Sequence, residues 1–177
     1  KVIVKVNNRK LMNAVLDKLE IKNKKDVIIA IDKLDKLSQD DVKKELKAKG
    51  LKDDKIRQLF SVINMQGTNK DILAKARKMV GENPGLIELE SLIRYAKDKR
   101  IKIVLSLARG LEYYTGNVFE VYCKEMNCSI AAGGRYDDMI GNFIGNNQKI
   151  PAVGISFGVD VIYDILNKKE SGIDTII

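Results

Sequence analysis

A chain of 177 residues with 45% hydrophobic content is long enough to bury a core and hold one domain, or one domain with a small insert. It has no histidine and two cysteines, which excludes His-based triads and His-ligated metal sites and makes a poor zinc site. The net charge of +8 is uneven: residues 1–100 carry 25 Lys/Arg against 15 Asp/Glu, and residues 101–177 carry 7 against 9, so the basic character suits a polyanionic partner held by the first part.

No run has the length of a membrane span, and residues 1–6 do not form a signal peptide. They alternate apolar and charged side chains, the period-2 mark of a half-buried strand. Asn7 or Asn8 then caps a helix over residues 9–19, with Leu11, Val15 and Leu19 along one face. Residues 27–34 are an apolar stretch. Ser38, followed by Asp40 and Asp41, is an N-cap with acids in the first turn, and the helix it opens ends at Gly50.

A further helix spans about residues 53–64, with Ile56, Leu59, Phe60 and Ile63 on one side. Another begins after Thr68 and stops near Gly81. Asn83-Pro84-Gly85 reads as a turn ahead of a helix over residues 86–97. Residues 21–83 are therefore expected as a helical domain, inserted into a discontinuous core made of residues 1–20 and 84–177.

The second half changes texture. Residues 101–107, 117–123, 128–132 and 152–157 are short β-type runs, and the middle two are close enough for an antiparallel hairpin with Cys123 and Cys128 at its turn. A short helix is expected after Arg135 and a longer one after Gly158, to about Lys168. Sheet and helices in this order give an α+β class. Lys in place of Met at position 1 suggests a piece of a longer protein, and the absence of a signal sequence suggests a reducing cytoplasm.

Arg109 ends a hydrophobic run just before Gly110, either as a fixed cation at a cleft mouth or as a surface partner of Glu112. Tyr113 and Tyr114 supply aromatic walls or a strand start packed on the core. Gly133 and Gly134 follow a strand where bare backbone admits a ligand, and Tyr136 offers a ring face and a hydroxyl. In residues 152–157 one face carries Ala152, Gly154 and Ser156 and leaves room for a flat ligand. The other face, Val153, Ile155 and Phe157, is bulky enough to hold a helix.

The blocks Leu-Ala-Arg-Gly-Leu-Glu-Tyr-Tyr-Thr-Gly-Asn-Val-Phe-Glu (107–120) and Ala-Gly-Gly-Arg-Tyr-Asp (132–137), in this order, resemble the two histidine-binding signatures of the histidyl-tRNA synthetases. These are class II enzymes that activate histidine with ATP and transfer it to tRNA(His). The resemblance implies that Arg109 contacts histidine and the α-phosphate of ATP as the catalytic residue. It implies that Tyr113, Tyr114, Gly133, Gly134 and Tyr136 line the histidine pocket. Residues 151–166 resemble motif 3 of the class, a strand and helix that bind ATP, which brings Gly154, Ser156 and Gly158 to the nucleotide.

The chain departs from the family at Glu112, where aspartate is usual, and at Asp160-Val161, where Glu-Arg is usual. Motifs 1 and 2 do not occur in it. The resemblance thus implies part of an antiparallel class II catalytic sheet plus the insertion domain, nearly inert alone. The parent enzyme is expected to be a cytoplasmic homodimer that uses ATP with Mg2+, for which no ligand is found in this sequence. Residues 21–80, with 16 Lys/Arg against 9 Asp/Glu, are expected to touch tRNA. The alternatives are a non-catalytic paralogue, the histidine-binding regulatory subunit of ATP phosphoribosyltransferase, and a basic RNA-binding module with tyrosine stacking platforms. An open sheet edge at residues 1–6 or their neighbours is expected to drive self-association.

Overall fold

Asn8 ends one element and begins the next. Its extended backbone closes strand β1 (Val2–Asn8), and its side chain accepts from the Lys10 N–H at 2.8 Å to cap helix α1 (Arg9–Lys18). The computed structural model describes residues 1–109, 113–146 and 148–170, and among these the mixed α+β architecture expected from the sequence is present. The apolar stretch at 27–34 lies in α2 (Lys24–Asp32) and the 3-10 turn that follows it.

Ser38 caps α3 (Gln39–Ala48) through the Asp41 N–H, after which come α4 (Asp53–Ile63) and α5 (Asn69–Val80). Thr68 and Asp71 form a reciprocal capping box on α5. Gly50 and Gly81, at φ of 87° and 75°, follow α3 and α5 in conformations that side chains resist. Asn83-Pro84-Gly85 is not a separate turn: Asn83 caps α6 (Pro84–Ala96), and Pro84 occupies its first turn, where its missing N–H has no helical partner to lose.

The strands complete a five-stranded sheet of order β2-β1-β3-β4-β5, with β2 (Ile101–Ile103), β3 (Asn117–Cys123), β4 (Cys128–Arg135) and β5 (Val153–Phe157). β1 runs parallel to β2, and every other pairing is antiparallel. Cys123 and Cys128 oppose each other across the β3–β4 hairpin as free thiols. Helices α7 (Met139–Phe143) and α8 (Val159–Glu170) follow β4 and β5.

Four expectations are corrected. β1 is an interior strand, paired on both sides, so the open edges are β2 and β5. The run at 101–107 is a strand only to Ile103, because the Leu105 and Leu107 carbonyls turn to the Asn7 side chain instead of a strand partner. Gly133 and Gly134 lie inside β4, which continues to Arg135. Among the described residues no helix covers the bulky side of β5: Val153, Ile155 and Phe157 are 68%, 49% and 58% exposed. α6 packs against β1 and β3, and α8 against β4.

One core joins the lobes. Val6 of β1, Leu11 and Leu16 of α1, Ile31 of α2, Leu46 of α3, Leu59 of α4 and Leu86 and Leu89 of α6 are buried in a single apolar cluster. The helices at 24–80 therefore pack onto the strand–helix unit that precedes them.

Candidate functional site

Residues directly opposed across a sheet share a face. The pairings align Asn7, Val118, Gly134 and Gly154 in one row, and Lys5, Glu120, Ala132 and Ser156 in the next row on the same face. A Cβ on Gly134 would lie 2.7 Å from the Tyr114 ring, and one on Gly154 would lie 2.7 Å from the Tyr136 hydroxyl. At Gly133 it would meet the Gly154 carbonyl oxygen at 2.0 Å. Glycine is needed at these positions because tyrosine rings and a neighbouring strand occupy the space of a side chain.

Three tyrosines converge over this floor. The Tyr113 and Tyr114 ring centroids are 4.6 Å apart, and Tyr113 meets Tyr136 edge-on at 5.9 Å. Tyr114 is buried, which pushes its phenol up to about 12, with the neighbouring Tyr113 hydroxyl adding to the effect. It stays neutral at any working pH. Tyr113 is partly open to solvent and can meet a ligand.

The segment entering Arg109 is held from below. Asn7 Nδ2 donates to the Leu105 and Leu107 carbonyls at 3.1 and 2.9 Å, and an Arg9 guanidinium nitrogen donates to the Arg109 carbonyl at 2.7 Å. Arg109 itself has a left-handed backbone, φ 46°, a strained conformation for a residue with a side chain. Its positive charge acts on both Tyr114 and Glu120, favouring their ionised forms. Gly110, Leu111 and Glu112 lie outside the described residues, and so do the Arg109–Glu112 pairing and the consequence of glutamate at 112.

A second set of bonds locks the two motif blocks to each other. The Thr115 N–H donates to the Arg135 carbonyl at 2.8 Å, the Asp137 N–H donates to the Thr115 hydroxyl at 3.0 Å, and Arg135 Nε donates to Asp137 at 2.8 Å. Burial alone would raise the Asp137 carboxyl. The Arg135 hydrogen bond and charge, with Thr115, bring it below the usual range instead.

Asn7, Arg9, Thr115 and Asp137 were not singled out by sequence reasoning. The Asn7-Asn8 pair was legible as a cap, but nothing local shows that Asn7 faces a loop 100 residues away. Ser156 lies in β5 and Gly158 just after it; the Gly158 N–H donates to the Ile130 carbonyl at 2.9 Å where the strand hands over to α8.

Beside Tyr114 and Thr115 opens a cavity of about 560 Å³ between α1, α2 and the segment after β4. Arg9, Lys10, Lys24, Lys25 and Lys149 line it, against Asp137 and Asp138. Among the described residues no three His, Cys, Asp or Glu side chains cluster to hold a metal.

The family model described as histidyl-tRNA synthetase matches residues 1–162, which include both motif blocks and the strands that carry them. The chain belongs to the histidyl-tRNA synthetase family. Within that family it is 37% identical over 171 residues to the histidine–tRNA ligase of Clostridium tetani, covering 90% of this chain and 38% of that protein. The crystal structure of histidyl-tRNA synthetase from Nostoc sp. superposes with a TM-score of 0.84 at 33% identity, covering 96% of this chain and 43% of that one.

An ATP phosphoribosyltransferase regulatory subunit/histidyl-tRNA synthetase from Bacillus halodurans C shares the fold, with a TM-score of 0.75 at 20% identity over 94% of this chain and 44% of its own. The chain thus spans about two fifths of the length of the histidyl-tRNA synthetase relatives it matches.

Proposed function

We propose that this chain is the amino-acid-binding part of a histidine–tRNA ligase, whose longer form activates histidine with ATP and transfers it to tRNA(His). One observation carries the reading. In a chain matched by the family model, two motif blocks separated in sequence meet at a glycine floor walled by three tyrosines, next to Arg109.

In this reading Arg109 bridges the histidine carboxylate and the α-phosphate and stabilises the charge that grows as the carboxylate attacks. Tyr113, Tyr114 and Tyr136 enclose the side chain, and Gly133 and Gly134 let it approach the strand. Gly154, Ser156 and Gly158 border the nucleotide. Mg2+ would arrive with ATP as its counterion, and no step is assigned to it. Residues 21–83 act as an insertion domain whose lysines meet tRNA phosphates, and the longer protein works as a cytoplasmic homodimer.

The chain alone holds only part of the site, so it is expected to bind histidine weakly and to catalyse no histidine-dependent pyrophosphate exchange. A histidine titration followed by NMR of the tyrosine rings tests the assignment. Tyr113, Tyr114 and Tyr136 should respond to millimolar histidine and not to phenylalanine. Unmoved rings, or an equal response to both amino acids, would overturn it.

One observation favours a second reading, a histidine-binding regulatory paralogue: α8 opens with Asp160-Val161, without the arginine of motif 3. Robust aminoacylation by the longer protein would remove that alternative.

A further inference from the structure

Glu120 sits in the middle of β3 with 2% of its surface exposed, and its Oε2 makes no hydrogen bond. Its other oxygen faces Lys5 at 3.7 Å, an ion pair too long for a hydrogen bond. Lys5 is in turn drawn over the Tyr122 ring, 3.8 Å from its centroid. A buried carboxylate oxygen without a donor is an expensive arrangement, and such groups in folded proteins ordinarily find a partner. Burial raises the Glu120 carboxyl, with the Asp35 charge adding to it, against the opposing charges of Lys5 and Arg109 and the nearby Ser129 hydroxyl; Oε2 is still the oxygen left without a hydrogen bond.

Its position says what the missing partner is. Glu120 lies on the same sheet face as Gly134 and Gly154, in the row beside theirs, and its cross-strand neighbours Ala132 and Ser156 are small. It is two residues along β3 from Val118, about 7 Å, a distance that one amino acid spans. The site then has two poles. Arg109 offers a cation to a carboxylate, and Glu120 offers an anion to a nitrogen that carries a proton.

We propose that Glu120 is a substrate-binding residue whose free oxygen accepts a hydrogen bond from a protonated nitrogen of the amino acid, the α-ammonium or the imidazole N–H. This rests on the reading of the tyrosine-walled floor as a histidine pocket, and it adds a recognition element to Arg109, the tyrosines and the glycines. A donor on the ligand satisfies the oxygen that the fold leaves unpaired. The same oxygen repels a ligand with an acceptor at that place.

The test uses the 177-residue chain with 13C-labelled glutamate side chains, titrated with histidine, imidazolepropionate and alanine. The Glu120 carboxyl resonance, assigned by its loss in E120Q, should move with histidine at the same midpoint as the tyrosine rings. E120Q should bind histidine at least 10-fold more weakly, as expected for loss of a charge-assisted hydrogen bond. Imidazolepropionate keeps the ring and lacks the ammonium; alanine does the reverse. Whichever of them moves the Glu120 signal identifies the nitrogen.

Tyrosine rings that respond while Glu120 does not, with E120Q binding as tightly as the parent chain, would overturn the proposal and leave the pocket standing. Rings that do not respond at all would overturn the pocket and the proposal together. Should E120Q fail to fold, the ligand response of the unaltered carboxyl decides alone.

Discussion

The side chain of Asn7 lies 2.9 Å from the carbonyl oxygen of Leu107, two residues before Arg109. Asn7 is fully buried, and the same amide nitrogen serves Leu105. Asn7→Ala should leave both carbonyls without that donor and lower stability by about 2 kcal/mol or more. Urea denaturation measures this directly, and an unchanged midpoint would show that the loop holds itself.

Gly134→Ala asks whether the floor must be bare. The added methyl would sit 2.7 Å from the Tyr114 ring, close enough that the ring or the strand has to move. Overpacking of this kind costs about 1–3 kcal/mol. The variant should lose near-ultraviolet circular dichroism from the tyrosine cluster, together with the histidine response. A native spectrum with intact binding would count against the pocket geometry described above.

Arg109→Ala in the longer protein should lower the rate of histidine activation by about 10²-fold or more, the effect of losing a transition-state charge partner. Histidine-dependent pyrophosphate exchange reads it. A variant with near-normal exchange would show that the cation at this strand end only packs.

Acid should weaken the link between the two motif blocks. The Asp137 carboxyl is below its ordinary range in the folded chain, so its contribution is complete above the unfolded carboxylate range and is lost as pH falls through its own lower value. Glu120 works in the opposite sense: its raised carboxyl removes stability as pH climbs from the unfolded carboxylate range to its folded value. Thermal melts of Asp137→Asn against pH should show a shallower acid-side slope than the parent chain, and those of Glu120→Gln a smaller opposing one.

Binding of tRNA should be weak and should fall steeply with salt, because the lysines of residues 21–80 neutralise phosphates without reading bases. A filter-binding titration across ionic strength provides the slope. A flat response would remove tRNA as the partner of this surface.

The chain should also self-associate, through β5 and not through the strand at residues 1–6. Val153, Ile155 and Phe157 expose an apolar strip beside an edge with no pairing strand among the described residues. Sedimentation equilibrium should give a concentration-dependent mass that Phe157→Lys reduces. A monomer at high concentration would mean that the edge is already covered.

Much of the helical part was legible because its signals are local. Ser38, Thr68 and Asn8 cap where their spacing says they should, and Gly50 and Gly81 stop helices by their backbone freedom. The tyrosines and glycines that meet over the sheet all lie in or beside the two motif blocks. What escaped was long-range.

Lys5 in an alternating strand has the look of an edge residue that wards off pairing, yet its charge is taken up by Glu120 and Tyr122, more than a hundred residues later. The continuation of β4 through Gly133 and Gly134 escaped for a similar reason. Glycines read as a strand end until Tyr114 and β5 are seen to fill the space beside them.

The pairing of β1 with β2 and β3 has a consequence for how the protein is made. During synthesis β1 leaves the ribosome before both strands that flank it here, since residues 101–103 and 117–123 are still to come. Helices α2 to α5 are completed in that interval, and they draw on local contacts that form quickly. The early strand waits, its alternating lysines keeping it soluble, until the late strands arrive on either side of it. Release of a nascent chain before residue 123 would therefore leave ordered helices beside a β1 that lacks the strands flanking it here, a species with apolar surface to hide and a natural client for a chaperone.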